Sequence, residues 1–435
     1  MILYVLAQEP LYQAIKKTKQ IKAIELPCKE TKLLGFADDT TIFVKTEASI
    51  IFLFHILDYF NEASSIKINV RKTRIFGFGE WRGRDNWPYP HIKVEMTSIN
   101  ILGITYAHDI NAAIDLSWSE VLHKIKQKIH VLSSRSLTLF QRAVIINATI
   151  LSKVWYIAHT YPLSCKYSKL INKEIFPYLW LSKYNPIKRE SVHQCKYNGG
   201  LGVINVFYKA QSILASTFLN QFLNSDENDS ILKYYCSIRL NPIFNIRELP
   251  SNISYSCPKY LDDLVKLTRK LIHIPKFPNV NSSDIYSMFL PKPLTTGNHV
   301  INTTCKKSWK HMNFVYIDIW GRELMFKFLH NIITTKMRLF QIKRADSPLC
   351  ETCHVCEDKQ HMFSDCVKVI LIRDYFKDLL RNICGIENRC MNKILHLDIK
   401  SKSKQDTNTA VILTTAYIST VWLNRSSTTQ IQMSH

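Results

Sequence analysis

Apolar residues in the first part of the chain change their spacing several times, which predicts helices alternating with strands. Residues 2–20 and 48–63 carry apolar side chains at helical spacing. Between them, residues 33–44 read LLGFADDTTIFV, two runs of β-forming residues on either side of Asp38 and Asp39. Since Asp is favoured in tight turns, this stretch predicts a hairpin with both carboxylates at its tip.

The segments after the second helix predict further strands. Residues 66–78 alternate between apolar and polar side chains. Residues 91–109 are predicted to form two more short strands, the second over 101–106. Residues 1–107 are therefore predicted as an α+β region in which strands pack under helices.

Beyond Trp118 the pattern is mainly helical. Two or three helices rich in Lys and Arg come first, and helical or loop-rich sequence continues to about residue 240. Residues 320–342 predict one long helix, and further helices are predicted near 367–382 and 409–424. The low glycine count, 11 in 435 residues, fits a mainly helical chain.

The net charge narrows the class of partner. The chain holds 57 Lys and Arg against 35 Asp and Glu, a formal charge of +22 that is spread along its length. This excess favours a polyanionic partner, nucleic acid ahead of a membrane surface, over a basic protein without one. No apolar run reaches the roughly 18–20 residues of a membrane helix, and no secretory signal opens the chain. We therefore expect an intracellular protein, nuclear or cytoplasmic or both, whose 12 cysteines are reduced.

The adjacent carboxylates Asp38 and Asp39 allow two interpretations. They can belong to an ordinary exposed turn, where water screens their repulsion. They can also ligate Mg²⁺, because hard divalent cations bind carboxylate oxygens and a hairpin tip can present them to a substrate phosphate. A polymerase uses two such ions, and a third carboxylate normally comes from a different strand.

A second candidate metal site lies in the stretch CETCHVCEDKQHMFSDC. Its spacing, C-x2-C-x7-H-x4-C, supplies three thiolates and one imidazole, a tetrahedral set suited to structural Zn²⁺. His354 and Cys356 are spare and could compete for the metal. The alternative is a set of free, buried cysteines. The predicted zinc ligands are Cys350, Cys353, His361 and Cys366.

The order of motifs around the carboxylates resembles the reverse transcriptase palm of non-LTR (LINE-type) retrotransposons. In that family an F/Y-x-D-D hairpin is followed by a helix, a strand reading roughly GLKIN-x-x-KT, and a short strand ending in LG. Ser65 departs from this pattern, since the family often has Gly there. The matching residues are Phe36, Ala37, Asp38, Asp39, Lys67, Ile68, Asn69, Lys72, Thr73, Leu102 and Gly103.

The resemblance implies a role for several of these residues in RNA-directed DNA polymerisation with Mg²⁺ and deoxynucleoside triphosphates. Asp38 would ligate the catalytic Mg²⁺ ions and Asp39 would support the site. Lys72 would stabilise or protonate the departing pyrophosphate. Leu102 and Gly103 would shape the primer grip, where a missing side chain lets a nucleic acid backbone approach.

The rest of the chain resembles the same family. The basic helices after Trp118 resemble its thumb, whose cations contact the phosphates of an RNA template paired with a DNA primer. Alternatively, the cations of these helices only form a solvated helix face. The family also carries a similar Cys-Cys-His-Cys motif near its C-terminus, which would staple a small module that can touch RNA. The predicted nucleic-acid contacts are Leu102, Gly103, Lys124, Lys128, Arg135 and Arg142.

The resemblance also implies that part of the polymerase site is missing. The family's third metal-binding Asp and its Gly-Pro-Leu-Ser-type segment lie well upstream of the hairpin, whereas 37 residues precede Asp38. We therefore expect an N-terminally truncated enzyme, without the endonuclease domain that often precedes the palm, that is inactive by itself. The alternatives are a nucleic-acid-binding remnant that uses the thumb and the zinc module, and a decayed product that does not fold stably. No membrane partner and no small-molecule substrate besides deoxynucleoside triphosphates are expected.

The predicted architecture is α+β, with a partial palm, a largely helical thumb and connector, and a zinc-knuckle module. The predicted regions are the C-terminal part of the palm at 1–107, thumb-like helices at 108–165, a helical or irregular connector at 166–342, the zinc module at 343–368 and C-terminal helices at 369–435.

Overall fold

The chain forms two compact units, each assembled from separate stretches of sequence. A computed structural model describes residues 2–25, 30–225, 230–244, 253–275, 277–291, 306–314, 316–387, 390–399, 401 and 403–429. The first unit contains Met1–Lys124, Lys153–Leu170 and Val206–Leu290. The second contains Ile125–Ser152, Ile171–Asn205 and Pro291–His435. The predicted α+β class is confirmed, while the boundaries of the five regions stay a prediction.

All strands assigned in the described residues lie in the first unit and pair two by two. The pairs β1–β2, β3–β4 and β7–β8 are antiparallel, and β5–β6 is parallel. The strands are β1 Ile24–Glu25, β2 Glu30–Thr31, β3 Leu33–Phe36, β4 Asp39–Ile42, β5 Arg74–Phe76, β6 Lys93–Glu95, β7 Ser98–Ile101 and β8 Ile104–Ala107.

Among the described residues of both units, α-helix is the most abundant secondary structure. The α-helices are α1 Ile2–Lys17, α2 Glu47–Ser64, α3 Ile110–Ser133, α4 Leu139–Ile145, α5 Ser152–Ala158, α6 Cys165–Trp180, α7 Arg189–His193, α8 Val206–Asn224, α9 Ile231–Phe244, α10 Lys259–Arg269, α11 Ser282–Phe289, α12 Lys306–Phe314, α13 Ile319–Leu329, α14 Lys336–Gln341, α15 Ile370–Cys384, α16 Met391–Leu395 and α17 Lys404–Thr429. Ile146–Ile150 and His361–Asp365 are short π-helices. Gly79–Trp81, Lys196–Asn198 and Val367–Val369 are 3-10 turns.

The predicted hairpin packs on α1 and α2, as the apolar periods of the sequence indicate. Its core contains Ile15 and Ile21, both fully buried, with Leu33 and Leu53. Helix α2 begins where the side chain of its cap Thr46 accepts a hydrogen bond from the Ser49 N–H at 3.2 Å. The local pattern therefore determined both the hairpin and its two covering helices.

Two strand predictions were wrong in extent. Of residues 66–78, only 74–76 form a strand, because Asn69 starts a turn. Its side-chain oxygen accepts from the Lys72 N–H at 3.2 Å. Residues 101–106 form a hairpin turn rather than one strand, since Leu102 and Gly103 have φ values of 51° and 77°.

Within the first unit, buried hydroxyl and indole groups connect the segment between α5 and α6 to α3 and to strand β8. Trp118 is fully buried and donates its indole N–H to the Pro162 carbonyl at 2.9 Å. Tyr161 donates to the Thr105 carbonyl at 3.0 Å, and burial raises its pKa to about 12. Trp118 is therefore a core residue, as its place in an amphipathic stretch indicates.

In the second unit, the GGLG segment forms a tight turn against α12. Gly199 has a φ of 80°, and a β-carbon there would lie 2.7 Å from the Trp309 ring. The turn is held by Asn147, whose amide donates to the Gly202 carbonyl at 2.8 Å and accepts from the Ile204 N–H at 3.0 Å. No strand follows this turn before α8, which begins at Val206.

The predicted helix over 320–342 is two helices, α13 and α14. The chain breaks at Asn331, which has a φ of 56°, and restarts at Thr335, whose hydroxyl oxygen caps Arg338 at 3.2 Å. The helices predicted near 367–382 and 409–424 are confirmed as α15 and α17. In the part of the chain that the structure describes, no helix combines the length and apolar character needed to cross a membrane.

Candidate functional site

The four predicted zinc ligands come together in the second unit. Their ligand atoms all lie within 4.8 Å of one another. The Cys366 sulfur is 3.9 Å from the sulfur of Cys350 and 3.7 Å from that of Cys353. Cys350, His361 and Cys366 are buried and Cys353 is half-buried. Among the described residues, this is the one group of three or more Cys, His, Asp or Glu able to hold a metal ion.

A small turn presents the first two cysteines. Leu349 and Cys356 form an isolated antiparallel bridge, and the Cys350 N–H donates to the Val355 carbonyl at 2.8 Å. The turn closes at His354, which has a φ of 57° and donates its N–H to the Cys350 carbonyl at 2.9 Å. His354 and Cys356, the spare candidates, are exposed and stand outside the ligand group.

The second ligand pair brackets a π-helix, which begins at His361 and is capped by Cys366. Asp358 accepts a hydrogen bond from the His361 N–H at 2.7 Å, and the Cys366 N–H donates to the His361 carbonyl at 2.9 Å. The His361 Nε2 atom is buried and has no hydrogen-bond partner in the described part of the chain. A buried ring nitrogen without a partner is costly, and a metal ion would satisfy it.

The thiol environment also fits a cation. Burial works against ionisation of the Cys350 thiol, but hydrogen bonds led by that from the Cys353 N–H lower its pKa to about 7. Burial raises the pKa of the neighbouring Cys366 thiol to about 11. A bound Zn²⁺ would offset the cost of holding several thiolates together, because coordinated thiols are deprotonated. The donor set therefore fits a structural zinc ion.

Glu357 and Arg425 attach the cysteine turn to the helices around it. Glu357 is buried and accepts from the Lys336 N–H at 3.0 Å at the start of α14. It also forms an ion pair with Arg425 on α17, which donates to the Thr334 carbonyl at 2.7 Å. Burial lowers the pKa of Arg425. The role of Glu357 was missed in the sequence, where it is one acid among several near the cysteines.

The Asp-Asp hairpin has a two-residue turn, Ala37 and Asp38. Ala37 has a φ of 53°, and Asp39 is already the first residue of β4, opposite Phe36. Both carboxylate residues are exposed. The predicted hairpin is confirmed, with Asp38 in the turn and Asp39 at the start of the strand.

The hairpin has one covered and one open face. On the covered face, a β-carbon at Gly35 would lie 2.7 Å from the Tyr12 ring, and the Tyr12 hydroxyl is 2.7 Å from the Thr40 hydroxyl. Cross-strand partners share a face, so Asp39 lies with Phe36 on the opposite one. Phe36 is 66% exposed there, so the carboxylate lies beside an exposed aromatic side chain.

No third metal ligand joins this pair. Among the described residues, neither Asp38 nor Asp39 belongs to a group of three potential ligands. Lys72, the predicted partner of the triphosphate, is exposed in the turn before β5. It lines a cavity of about 500 Å³ that also contains Arg74, Glu95 and Glu120. The described geometry therefore groups Lys72 with carboxylates other than the predicted pair.

Leu102 and Gly103 are exposed at the tip of the β7–β8 hairpin. The Tyr156 hydroxyl donates to the Leu102 carbonyl, and the Gly103 N–H donates to the Asn100 side chain at 2.9 Å. Since both φ values are positive, glycine suits the second position. The tip is thus a fixed, exposed turn.

The predicted basic contacts differ in exposure. Lys124 pairs with Glu120 at 2.7 Å, and Lys128 and Arg135 are exposed. Arg142 is 6% exposed and donates its Nε–H to the Leu179 carbonyl at 2.7 Å. Burial lowers the pKa of Arg142. The Arg142 guanidinium donates to a backbone carbonyl inside the second unit and is not exposed to contact a nucleic acid.

The chain matches no protein-family model.

Proposed function

We propose that this chain derives from a LINE-type reverse transcriptase and carries the Asp-Asp hairpin of its palm. The observation that carries the proposal is the turn holding Asp38 and Asp39, exposed between two short strands. It is followed along the chain by α2, by the turn with Lys72 and by the Leu102–Gly103 tip. In the family, this order supplies a metal site, a cation for the leaving pyrophosphate and a primer grip.

The chain by itself is proposed to lack polymerase activity. Two-metal phosphoryl transfer needs enough carboxylate oxygens to hold both Mg²⁺ ions, and Asp38 and Asp39 have no third ligand grouped with them in the described residues. An exposed pair would bind Mg²⁺ weakly, since water competes for both the ion and the carboxylates. The role we assign to Asp38 and Asp39 therefore requires carboxylates from elsewhere.

Primer extension on a primed RNA template with Mg²⁺ tests this proposal. We expect no product from the purified chain. Extension that disappears in Asp38→Ala would contradict the proposed inactivity and support the assignment of the carboxylate. Extension that survives Asp38→Ala would point to a contaminating polymerase, so Asp38→Ala serves as the internal control.

The second candidate function is binding of an RNA–DNA duplex without catalysis. It is favoured by the exposed cations Lys128 and Arg135 and by the net charge of +22. Cation–phosphate contacts release counterions, so affinity should fall steeply with salt. The cysteine cluster would stabilise its module rather than read bases.

Duplex binding at several salt concentrations tests this candidate. The double variant Lys128→Gln, Arg135→Gln should weaken binding and lower the salt slope by about two, about one per lost phosphate contact. The double variant Lys377→Gln, Arg381→Gln on α15 is a control that removes the same two charges from exposed positions elsewhere. Equal affinity at low and high salt would rule the candidate out.

The third possibility is a chain that does not fold stably. It is motivated by the exposed Phe36 and Leu34 on a two-stranded sheet, since open edges promote aggregation. Hydrogen exchange across residues 2–107 decides this. Strong protection of the Ile15 and Leu53 core would count against it, whereas exchange as fast as in an unfolded chain would support it.

A further inference from the structure

A polar cavity lies next to the cysteine cluster in the second unit. Its volume is about 550 Å³, within the usual range of small-molecule sites. The end of α13, helix α14 and the start of α16 contribute to its wall, together with the residues just before His361. None of the functions proposed above uses this cavity.

Three cations line the cavity without a carboxylate partner. Arg338, Lys359 and Lys393 all contribute to the wall, and none forms an ion pair within 4.0 Å among the described residues. Arg338 is half-buried and donates one Nη–H to the Asn331 carbonyl at 2.6 Å. Lys359 is half-buried as well, whereas Lys393 is exposed. Half-buried cations that lack a carboxylate partner are unfavourable, so Arg338 and Lys359 favour an anionic ligand.

Lys359 is held in place by neutral groups. Its Nζ lies 3.0 Å from the Nε2 of His396 and 4.5 Å from the centre of the Phe328 ring. The His396 Nδ1 donates to the Asn392 carbonyl at 2.7 Å, so the Nε2 accepts from Lys359 and the ring is neutral. Burial lowers the pKa of His396, in agreement with a neutral ring. The groups that contact Lys359 directly are therefore uncharged.

The remaining wall suits the uncharged part of a ligand. Asn331, Gln341 and Asn392 bring amide groups, and Asp358 and Asp398 bring carboxylates. Asp358 accepts a hydrogen bond from the His361 N–H, whereas Asp398 forms no ion pair among the described residues. Carboxylates bind sugar hydroxyls and amides bind base edges, in the way that dinucleotide and base readers use them.

We propose that this cavity binds a nucleoside phosphate, either free or as one unit of a single strand. Arg338 and Lys393 contact the phosphate, Asp398 accepts from sugar hydroxyls, and the amides contact the base edge. A plain anion would leave the amides and Asp398 unused. The proposal is independent of the Asp-Asp hairpin, so it stands or falls apart from the polymerase assignment.

Calorimetric titration of the full zinc-loaded chain tests the proposal with three probes: adenosine monophosphate, inorganic phosphate and a short oligouridylate. Adenosine monophosphate should bind more tightly than inorganic phosphate. Arg338→Gln and Lys393→Gln should each weaken its binding about tenfold, since each removes a charge-assisted hydrogen bond. Lys377→Gln, which removes an exposed charge on α15, should leave binding unchanged.

Each outcome decides a part of the proposal. Oligouridylate binding that loses affinity in the same two variants would identify a strand as the source of the nucleotide, and binding of the monophosphate alone would identify a free nucleotide. Because Arg338 also donates to the Asn331 carbonyl, Lys393→Gln at an exposed position guards against a folding defect. Absence of binding by all probes, equal binding by all variants, or phosphate binding as tight as the monophosphate would overturn the proposal.

Discussion

The cysteine cluster and the Asp-Asp hairpin are both short motifs visible in the sequence, yet their surroundings differ. The four ligands of the cluster converge from two neighbouring turns, and three of them are buried. Asp38 and Asp39 lie on an exposed turn of a two-stranded sheet, with no third ligand among the described residues. The cysteine motif brings four potential ligands together within a few turns of chain, whereas the hairpin brings together two exposed carboxylates.

The difference shows what a metal site needs beyond ligand identity. In the cluster, Glu357 and Arg425 hold the ligand turn against α14 and α17, and burial keeps water away. Such outer contacts orient ligands and tune a metal. At the hairpin, contacts with α1 position the backbone, but the carboxylates face solvent.

The largest effect is expected from removing a zinc ligand. Cys366→Ser should reduce Zn²⁺ affinity by about a hundredfold or more, because it opens a closed tetrahedral set. Cys356→Ser, an exposed cysteine outside the group, is the matched control and should not change affinity. Cobalt substitution followed by thiolate absorption measures this. Equal losses in both variants would contradict the ligand assignment.

Substituting one phenylalanine in each region should change the free energy of unfolding by very different amounts. Phe363 is fully buried and packs edge-on against Phe328, with 5.2 Å between the ring centroids. Phe363→Ala should therefore lower the free energy of unfolding by about 3–5 kcal/mol. Phe36 is 66% exposed, and Phe36→Ala should stay within about 0.5 kcal/mol. Denaturant titration combined with hydrogen exchange assigns each loss to its region. A large cost at Phe36 would mean that the open face is covered in solution.

The buried ion pair beside the cysteine cluster should contribute less to stability than the Phe363 side chain does. Glu357→Gln leaves Arg425 without its counter-charge and should lower the free energy of unfolding by about 2–3 kcal/mol. This is less than the usual cost of breaking a fully buried ion pair, because Arg425 is partly exposed. Asp378→Asn, in the exposed pair with Arg381, is the control and should cost less than about 0.5 kcal/mol. The same unfolding measurement applies, and similar costs for the two variants would remove Glu357 from its proposed role.

The smallest effect concerns the backbone of the hairpin. Gly35→Ala forces the Tyr12 ring to move and should cost about 1–2 kcal/mol. Ala37→Gly relieves a left-handed conformation and should be neutral or slightly stabilising. Hydrogen exchange of residues 33–42 reports both changes. A neutral Gly35→Ala would mean that α1 does not pack on the hairpin as described.

Prediction from sequence succeeded where the interaction is local. The hairpin around Asp38 follows from β-forming runs and a turn, and the group of four potential metal ligands follows from cysteine and histidine spacing. It failed where two local signals compete. The apolar residues of 320–342 follow one helical period, which predicts a single helix. Thr335 instead caps a new helix, and the apolar pattern does not show that the chain breaks there.

From the sequence one could predict the charge of the chain, the α+β class, the hairpin and the four clustered Cys and His residues, because these depend on composition and on neighbours along the chain. The folded structure was needed to show that Arg142 is buried, that Glu357 holds the cysteine turn and that three cations line one cavity. Each of these depends on residues far apart in sequence. Burial and pairing are decided by packing, and a sequence pattern shows a charge without showing what it faces.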